Sequence, residues 1–321
     1  MGMKDIPVLV PGRLNPHALE RIRAEFNCIE IASGAPALIT PEIAGKVRGI
    51  AAMTVISADL MRALPKLEIV ANFGVGYDAV DAGHAGANGI MVTNTPDVLT
   101  EEVADTTIGL LLNTVRELSA SEAYMRAGHW SAKGNYRLTP LTMRGRTVGI
   151  YGMGRIGQAI ARRLEPFGVG IHYHNRRKAD GLAYPYHPTL VELARAVDTL
   201  IVVVPGGEST RKAINSEVLA ALGPQGVLIN IGRGSSVDED ALIAAMHAGT
   251  IAAAGLDVFE NEPHIRPEFF ELPNTVLLPH VGSASVHTRT AMGNLCVDNL
   301  VGWFSGKGAI TPVPETVHLQ P

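Results

Sequence analysis

The sequence predicts an α/β protein of two domains, each built on a parallel sheet with helices packed against it. Three observations lead there. Short apolar runs alternate with helical segments, the pattern of parallel strands joined by crossover helices. A glycine-rich turn, Gly152-Met153-Gly154-Arg155-Ile156-Gly157, lies between one such run and a helix. The chain has 321 residues, a length that suits two domains. With 46% hydrophobic and 18% charged residues, it has the composition of a well-packed globular protein.

The first block has apolar runs at 6–10, 28–31, 49–53, 68–71 and 90–93, separated by helical segments such as 16–26 and 58–64. A long helix is expected over 101–125. Thr100 offers an N-cap hydroxyl, and Glu101 and Glu102 complement the helix dipole in the first turn. Val103, Ile108, Leu111, Leu112 and Val115 give that helix enough apolar surface for burial on more than one side.

The second block starts at Arg146. Residues 147–151 read as a buried strand, after which Gly152 allows a tight turn. Gly154 lets the backbone approach a ligand, and Gly157 lets the next helix pack closely on the sheet. That helix, 155–167, carries Ile156, Ile160 and Leu164 at helical spacing. A further strand follows at 169–174. Strands at 199–204, 227–231, 252–256 and 275–278 bring the block to six, which fits a doubly wound, Rossmann-type sheet. A last helix over 286–304 and a proline-rich tail remain, and docking on the first block is their economical placement.

A glycine-rich turn between strand and helix, with a strand again after it, is a dinucleotide site. The helix N-terminus presents free N–H groups and partial positive charge to a pyrophosphate. The turn lacks the Gly-Lys-Ser/Thr ending of an NTPase loop. Asn175-Arg176-Arg177-Lys178 begins 18 residues after Gly157, where an Asp or Glu would grip the ribose 2′-hydroxyl of NAD. Guanidinium groups suit a 2′-phosphate, which a carboxylate would repel. The expected cofactor is therefore NADP, with NADPH preferred over NADH.

Net charge is −4, which gives no general attraction to nucleic acid or membrane. No apolar run approaches the roughly 18 residues of a membrane span, and no signal peptide or myristoylation motif is evident. A cytoplasmic location is expected. Cys28 and Cys296 sit in apolar contexts and read as buried, reduced thiols. No His/Cys spacing suggests zinc, and no metal is expected.

Three strand ends of the second block carry ionisable residues. Strand 227–231 runs into Gly232-Arg233-Gly234, strand 252–256 leads to Asp257 and Glu262, and strand 275–278 leads to His280. Alone, each has a bland reading: a surface arginine, a turn glutamate, a core histidine. Three at successive carboxyl ends of one dinucleotide sheet, where ligands bind, supply a substrate anchor and a proton donor for hydride transfer. The cleft between two such domains is the default ligand site.

With these motifs the chain resembles the D-isomer-specific 2-hydroxyacid dehydrogenase family. Within that family it is most similar to the bacterial B-type glyoxylate/hydroxypyruvate reductases. The resemblance covers essentially the whole chain. It rests on ANFGVGYDAVD at 71–81, VTNTPDVLTEEVADTTIGLLL at 92–112, RGRTVGIYGMGRIGQAIARRL at 144–164, LINIGRGSSVDEDAL at 228–242, GLDVFENEP at 255–263 and LLPHVGSAS at 277–285. It implies a Rossmann-type cofactor domain, 100–282, inserted in a smaller flavodoxin-like substrate domain, 1–99 and 283–321. It also implies a homodimer built largely by the helix from Glu101.

The same resemblance implies residue roles. Arg233 would bind the substrate carboxylate and carbonyl oxygen, and His280 would deliver the proton. Glu262 would hold the far ring nitrogen of His280. Backbone N–H groups of Val75 and Gly76 would cradle the carboxylate, and Met53 would line the side-chain pocket unless it is a core residue. Asp257 would meet the nicotinamide carboxamide, Pro205, Ile231 and Gly232 would line the cofactor groove, and Thr106 would touch its nicotinamide half. In related enzymes the loop that here carries Trp130, Tyr136 and Arg137 can reach a partner's active site, and whether it does so here is a hypothesis that an Arg137→Ala variant tests. The expected activity is NADPH-dependent reduction of glyoxylate and hydroxypyruvate. Bulkier 2-oxo acids such as phenylpyruvate are the main alternative. Formate oxidation is disfavoured by Glu262, because that branch pairs its histidine with glutamine. Phosphoglycerate oxidation is disfavoured by the missing regulatory domain and the NADP preference. A dinucleotide-sensing binding protein, as in related corepressors, is a distant third, since no added interaction segment is seen.

Overall fold

A computed structural model describes residues 2–320. The chain divides into two compact units, one running to Leu99 and resuming at Ala284, the other Thr100–Ser283.

The first unit holds a five-stranded parallel sheet: β1 (Pro7–Pro11), β2 (Asn27–Ile31), β3 (Gly49–Ala52), β4 (Ile69–Asn72) and β5 (Met91–Thr93), in the order β2-β1-β3-β4-β5. That is the flavodoxin-like order. β1, β3, β4 and β5 are buried along their length, which is why they read as continuous apolar runs. β2 lies at the edge and is partly exposed. Cys28 on β2 is consequently only half-buried, against the expectation of burial, whereas Cys296 is fully buried; both thiols are free. The helix Val286–Phe304 packs on this sheet. Phe304 meets Phe26 edge-on at 6.1 Å, and Gly49 leaves room for the Phe304 ring. The tail is tied back by Asn299, whose side-chain oxygen accepts the N–H groups of Ile310 (2.8 Å) and Thr311 (2.9 Å).

The second unit holds six parallel strands: β6 (Thr147–Tyr151), β7 (Gly170–His174), β8 (Thr199–Val202), β9 (Val227–Asn230), β10 (Ala253–Leu256) and β11 (Thr275–Leu277). Their order is β11-β10-β9-β8-β6-β7. The chain steps from β6 outward to β7, then crosses back to β8. The topological switch therefore lies between β6 and β8, where ligands of such sheets bind. The helix Thr100–Arg116 covers one face, sharing a core of Leu110, Leu111 and Val115 with Val148, Ile150 and Ile229. Arg163 bridges it to the helix Arg155–Leu164 through Glu101 (2.8 Å) and Asp105 (2.6 Å). Leu193, Leu219 and Leu242 pack the opposite face against Leu200, Leu228 and Leu256.

The helix expected over 101–125 is two helices, Thr100–Arg116 and Leu118–Arg126. Glu117 between them is left-handed, φ 51° and ψ 40°. Its carboxylate is 8% exposed and accepts hydrogen bonds from the Tyr136 hydroxyl (2.8 Å) and the Arg137 guanidinium (2.8 Å). These partners lie about twenty residues downstream, outside any helical window. Thr100, expected as the N-cap, is the first helical residue. Trp130 lies exposed in the short helix His129–Lys133. Tyr136 and Arg137 engage Glu117 of their own chain.

Candidate active site

The glycine-rich turn sits at the carboxyl end of β6. Gly152 has φ +108°, a conformation that favours glycine. A Cβ at Gly157 would lie 2.2 Å from the Gly152 carbonyl oxygen, so a side chain there would force the helix off the turn. A Cβ at Gly154 would meet nothing within 4 Å, and no side chain caps the helix beginning at Arg155. Open space before a helix N-terminus that no side chain caps, at Arg155 and Ile156, fits a dinucleotide pyrophosphate. Met153 contributes no side chain to that space: it is buried, and its N–H donates to Asn175 Oδ1 at 2.7 Å. Gly232 faces the neighbouring strand end, where a Cβ would lie 2.7 Å from the Val204 carbonyl. Ile231 is buried and Pro205 exposed beside it. Arg176 and Arg177 are exposed and make no ion pair among the described residues.

Arg233 follows β9. Asn230 braces its turn, donating to the Arg233 carbonyl (2.9 Å) and accepting the Gly232 N–H (3.1 Å), while Ser236 donates to the same carbonyl (2.6 Å). A Cβ at Gly234 would fall 1.8 Å from the Phe259 carbonyl carbon. The glycine thus lets the Arg233 turn lie directly on the segment leading to Glu262.

Glu262 has two partners. One oxygen accepts the Phe259 N–H (2.9 Å), and the other lies 2.6 Å from His280 Nδ1. Burial pushes the Glu262 carboxyl up. The His280 and Phe259 hydrogen bonds and the charges of His280 and Arg233 outweigh that and hold it below the usual carboxylate range. His280 is left-handed, φ 53°, and its N–H donates to the Asp257 carbonyl at 2.9 Å. With Nδ1 on Glu262, Nε2 is the ring atom left to serve a substrate.

Asp257 lies between β10 and the turn of His280. It is 1% exposed, and its two carboxylate oxygens accept the N–H groups of Val281 (2.7 Å) and Gly282 (2.9 Å). Burial raises its carboxyl, only partly offset by these bonds. Asp257 therefore shapes the turn that carries His280. Thr106 acts on the same turn, donating to the Gly282 carbonyl at 3.1 Å. Sequence reasoning missed Asn230 and Ser236 as braces; an asparagine closing a buried apolar strand was the available signal.

Arg233, Glu262, His280, Asp257 and the glycine-rich turn thus gather at the carboxyl edge of the second sheet. Val75, Gly76 and Met53 stand at the carboxyl edge of the first. There Asn72 donates to the carbonyls of Gly74 (3.2 Å) and Gly76 (3.0 Å), and Asn94 to that of Val75 (2.8 Å). With the carbonyls held, the N–H groups of Val75 and Gly76 have no acceptor among the described residues, an arrangement suited to an anion. Asn72 and Asn94 also escaped the sequence reading. Met53 is 45% exposed, which rules out its core reading. Among the described residues no cluster of His, Cys, Asp or Glu is set to hold a metal, and no helix is long and apolar enough to cross a membrane.

Comparison with known proteins gives a consistent picture. Residues 108–282 match the family model for the NAD binding domain of D-isomer specific 2-hydroxyacid dehydrogenases. A crystal structure of the NADPH-dependent glyoxylate/hydroxypyruvate reductase of Sinorhizobium meliloti, in complex with NADP and malonate, shares 59% identity. That match covers 97% of each chain with a TM-score of 0.95. Glyoxylate/hydroxypyruvate reductase A of Arabidopsis thaliana is 45% identical over 97% of this chain and all of its own length. Hydroxyphenylpyruvate reductase of Plectranthus scutellarioides is 50% identical over 80% of this chain and 81% of its own.

Proposed function

The chain belongs to the D-isomer specific 2-hydroxyacid dehydrogenase family, and from that premise we propose that it reduces small 2-oxo acids to D-2-hydroxy acids with NADPH, glyoxylate and hydroxypyruvate foremost. The observation that carries the proposal is the 2.6 Å contact of His280 Nδ1 with Glu262, beside the turn of Arg233, in a dinucleotide fold.

NADPH, when bound, supplies the hydride. The chain supplies the rest. The N–H groups of Val75 and Gly76 receive the carboxylate. Arg233 binds the carboxylate and carbonyl oxygen, orienting the acid and drawing charge toward the oxygen. As that oxygen gains negative charge, His280 gives it the proton from Nε2, and Glu262 stabilises the protonated ring through Nδ1 beforehand. The helix N-terminus at Arg155 and Ile156 takes the pyrophosphate, and Arg176 and Arg177 take the 2′-phosphate. Pro205, Ile231 and Gly232 line the adjoining groove.

A second reading extends the substrate range to bulkier 2-oxo acids such as phenylpyruvate. It is supported by the 50% identity to a hydroxyphenylpyruvate reductase and by the exposure of Met53. Comparing kcat/KM for glyoxylate, hydroxypyruvate, pyruvate and phenylpyruvate tests both readings. The first expects the two small acids to lead. A lead for phenylpyruvate selects the second, and turnover of none of the four overturns both.

The working form is a homodimer, a reading supported by the exposed Leu118, Met125, Trp130 and Leu138 on one contiguous segment. Light scattering that gives a monomer mass at micromolar concentration would count against it. We place the protein in the cytoplasm, consistent with two free thiols and a reducing coenzyme.

A further inference from the structure

The exposed run Arg176-Arg177-Lys178 is gripped on both sides by a tyrosine hydroxyl. On the entry side Tyr186 donates to the Asn175 carbonyl at 3.3 Å. On the exit side the Tyr173 hydroxyl accepts the Ala179 N–H at 3.1 Å and donates to the Ala179 carbonyl at 3.4 Å. The two rings pack against each other, centroids 5.3 Å apart.

Both tyrosines are themselves fixed. Tyr173 is a fully buried residue of β7, sealed in the core shared with the helix Thr100–Arg116. Tyr186 lies on a return segment laid along β7. The Tyr173 N–H donates to the Pro185 carbonyl and the His187 N–H to the Tyr173 carbonyl, each at 2.9 Å. His172 Nδ1 meets His187 Nε2 at 2.9 Å and adds a side-chain clasp. The main chain of the run is therefore anchored to the sheet while its guanidinium groups stay in solvent.

We infer that Tyr173 and Tyr186 are positioning residues for the 2′-phosphate of NADPH, acting through the backbone of Arg176 and Arg177. The inference rests on the coenzyme reading proposed above. A loose segment would lose backbone entropy each time its arginines closed on a phosphate. The bracket has already restricted that backbone before the coenzyme arrives. NADH has no 2′-phosphate, and its grip comes from the glycine-rich turn, whose contact with Asn175 uses the side-chain oxygen and not the carbonyl held by Tyr186.

The test is calorimetric titration of the full chain with NADP⁺ and NAD⁺, for wild type, Tyr173→Phe, Tyr186→Phe, the double variant and the pair Arg176→Ala/Arg177→Ala. Each tyrosine change removes one oxygen. Each is expected to weaken NADP⁺ about three- to ten-fold, the range of one hydrogen bond, with NAD⁺ affinity within about two-fold. Tyr186 is partly exposed, so Tyr186→Phe keeps the test open if the buried Tyr173 change impairs folding. Equal weakening of both coenzymes, or an unchanged NADP⁺ affinity in the double variant, overturns the inference. If the arginine pair weakens NADP⁺ and the tyrosines do not, the bracket falls and the coenzyme reading stands. If neither does, both fall.

Discussion

At the scale of the residue, the proposed chemistry depends on one short contact, His280 Nδ1 to Glu262. Glu262→Gln keeps a polar group near the ring but removes the negative charge that faces Nδ1. The expected result is a fall in kcat of about 100-fold, within the usual range for general acid–base catalysis, with little change in coenzyme affinity; stopped-flow and binding assays check the two halves separately. The carboxyl also links stability to pH. Its ionisation lies below the ordinary glutamate value in the folded chain. Its contribution is therefore present above that ordinary value and is lost as pH falls through the lower folded value. The stability difference between wild type and Glu262→Gln in thermal unfolding should shrink as pH falls below about 4.5. A gap that persists or grows below that value would contradict this. Arg233, Glu262 and His280 are legible as ionisable residues at strand ends because the sheet's periodicity exposes those ends. Asp257 is not: its amide partners lie 24 and 25 residues away, a distance no local pattern reports.

At the scale of the element, strands are the legible part. Buried parallel strands read as unbroken apolar runs, and the six runs of the second block appear as β6 to β11 with ends shifted by only a few residues. The break at Glu117 is illegible for the opposite reason. The local sequence is helical throughout, and the bonds that turn Glu117 out come from Tyr136 and Arg137. Glu117→Ala is expected to cost about 2–3 kcal/mol in denaturant unfolding, through the lost charged hydrogen bonds. Glu117→Gly loses the same bonds but relieves the left-handed strain the wild type carries, and should cost less. The reverse ranking would mean that the carboxylate does not hold the break. The turn after β9 gives a third prediction. Gly234→Ala would drive a Cβ into the Phe259–Glu260 peptide, moving Arg233 relative to Glu262. A loss of at least about ten-fold in kcat/KM is expected, and wild-type kinetics would show that the turn can move without consequence.

At the scale of the whole molecule, the two sheets have distinct duties. The second gathers a dinucleotide turn, a basic run and three ionisable strand ends along one edge. The first presents two unpaired amides at 75–76 on a loop held by Asn72 and Asn94. Both folds were legible, since each follows from the count and spacing of apolar runs. The exposed basic run after β7 was legible too, because its charge can be read directly from Arg176, Arg177 and Lys178. The framework that holds its backbone was not, because the contacts of Tyr173 and Tyr186 with Ala179 and Asn175 depend on how the chain returns along β7. The most direct measurement of the central claim is the oxidation of NADPH and of NADH by the purified protein with glyoxylate and hydroxypyruvate, followed by the absorbance of the reduced nicotinamide. Rapid turnover with NADPH and a kcat/KM at least about ten-fold lower with NADH is the predicted result, one charge-assisted contact being worth about that factor. No turnover with either coenzyme, or a preference for NADH, would contradict it.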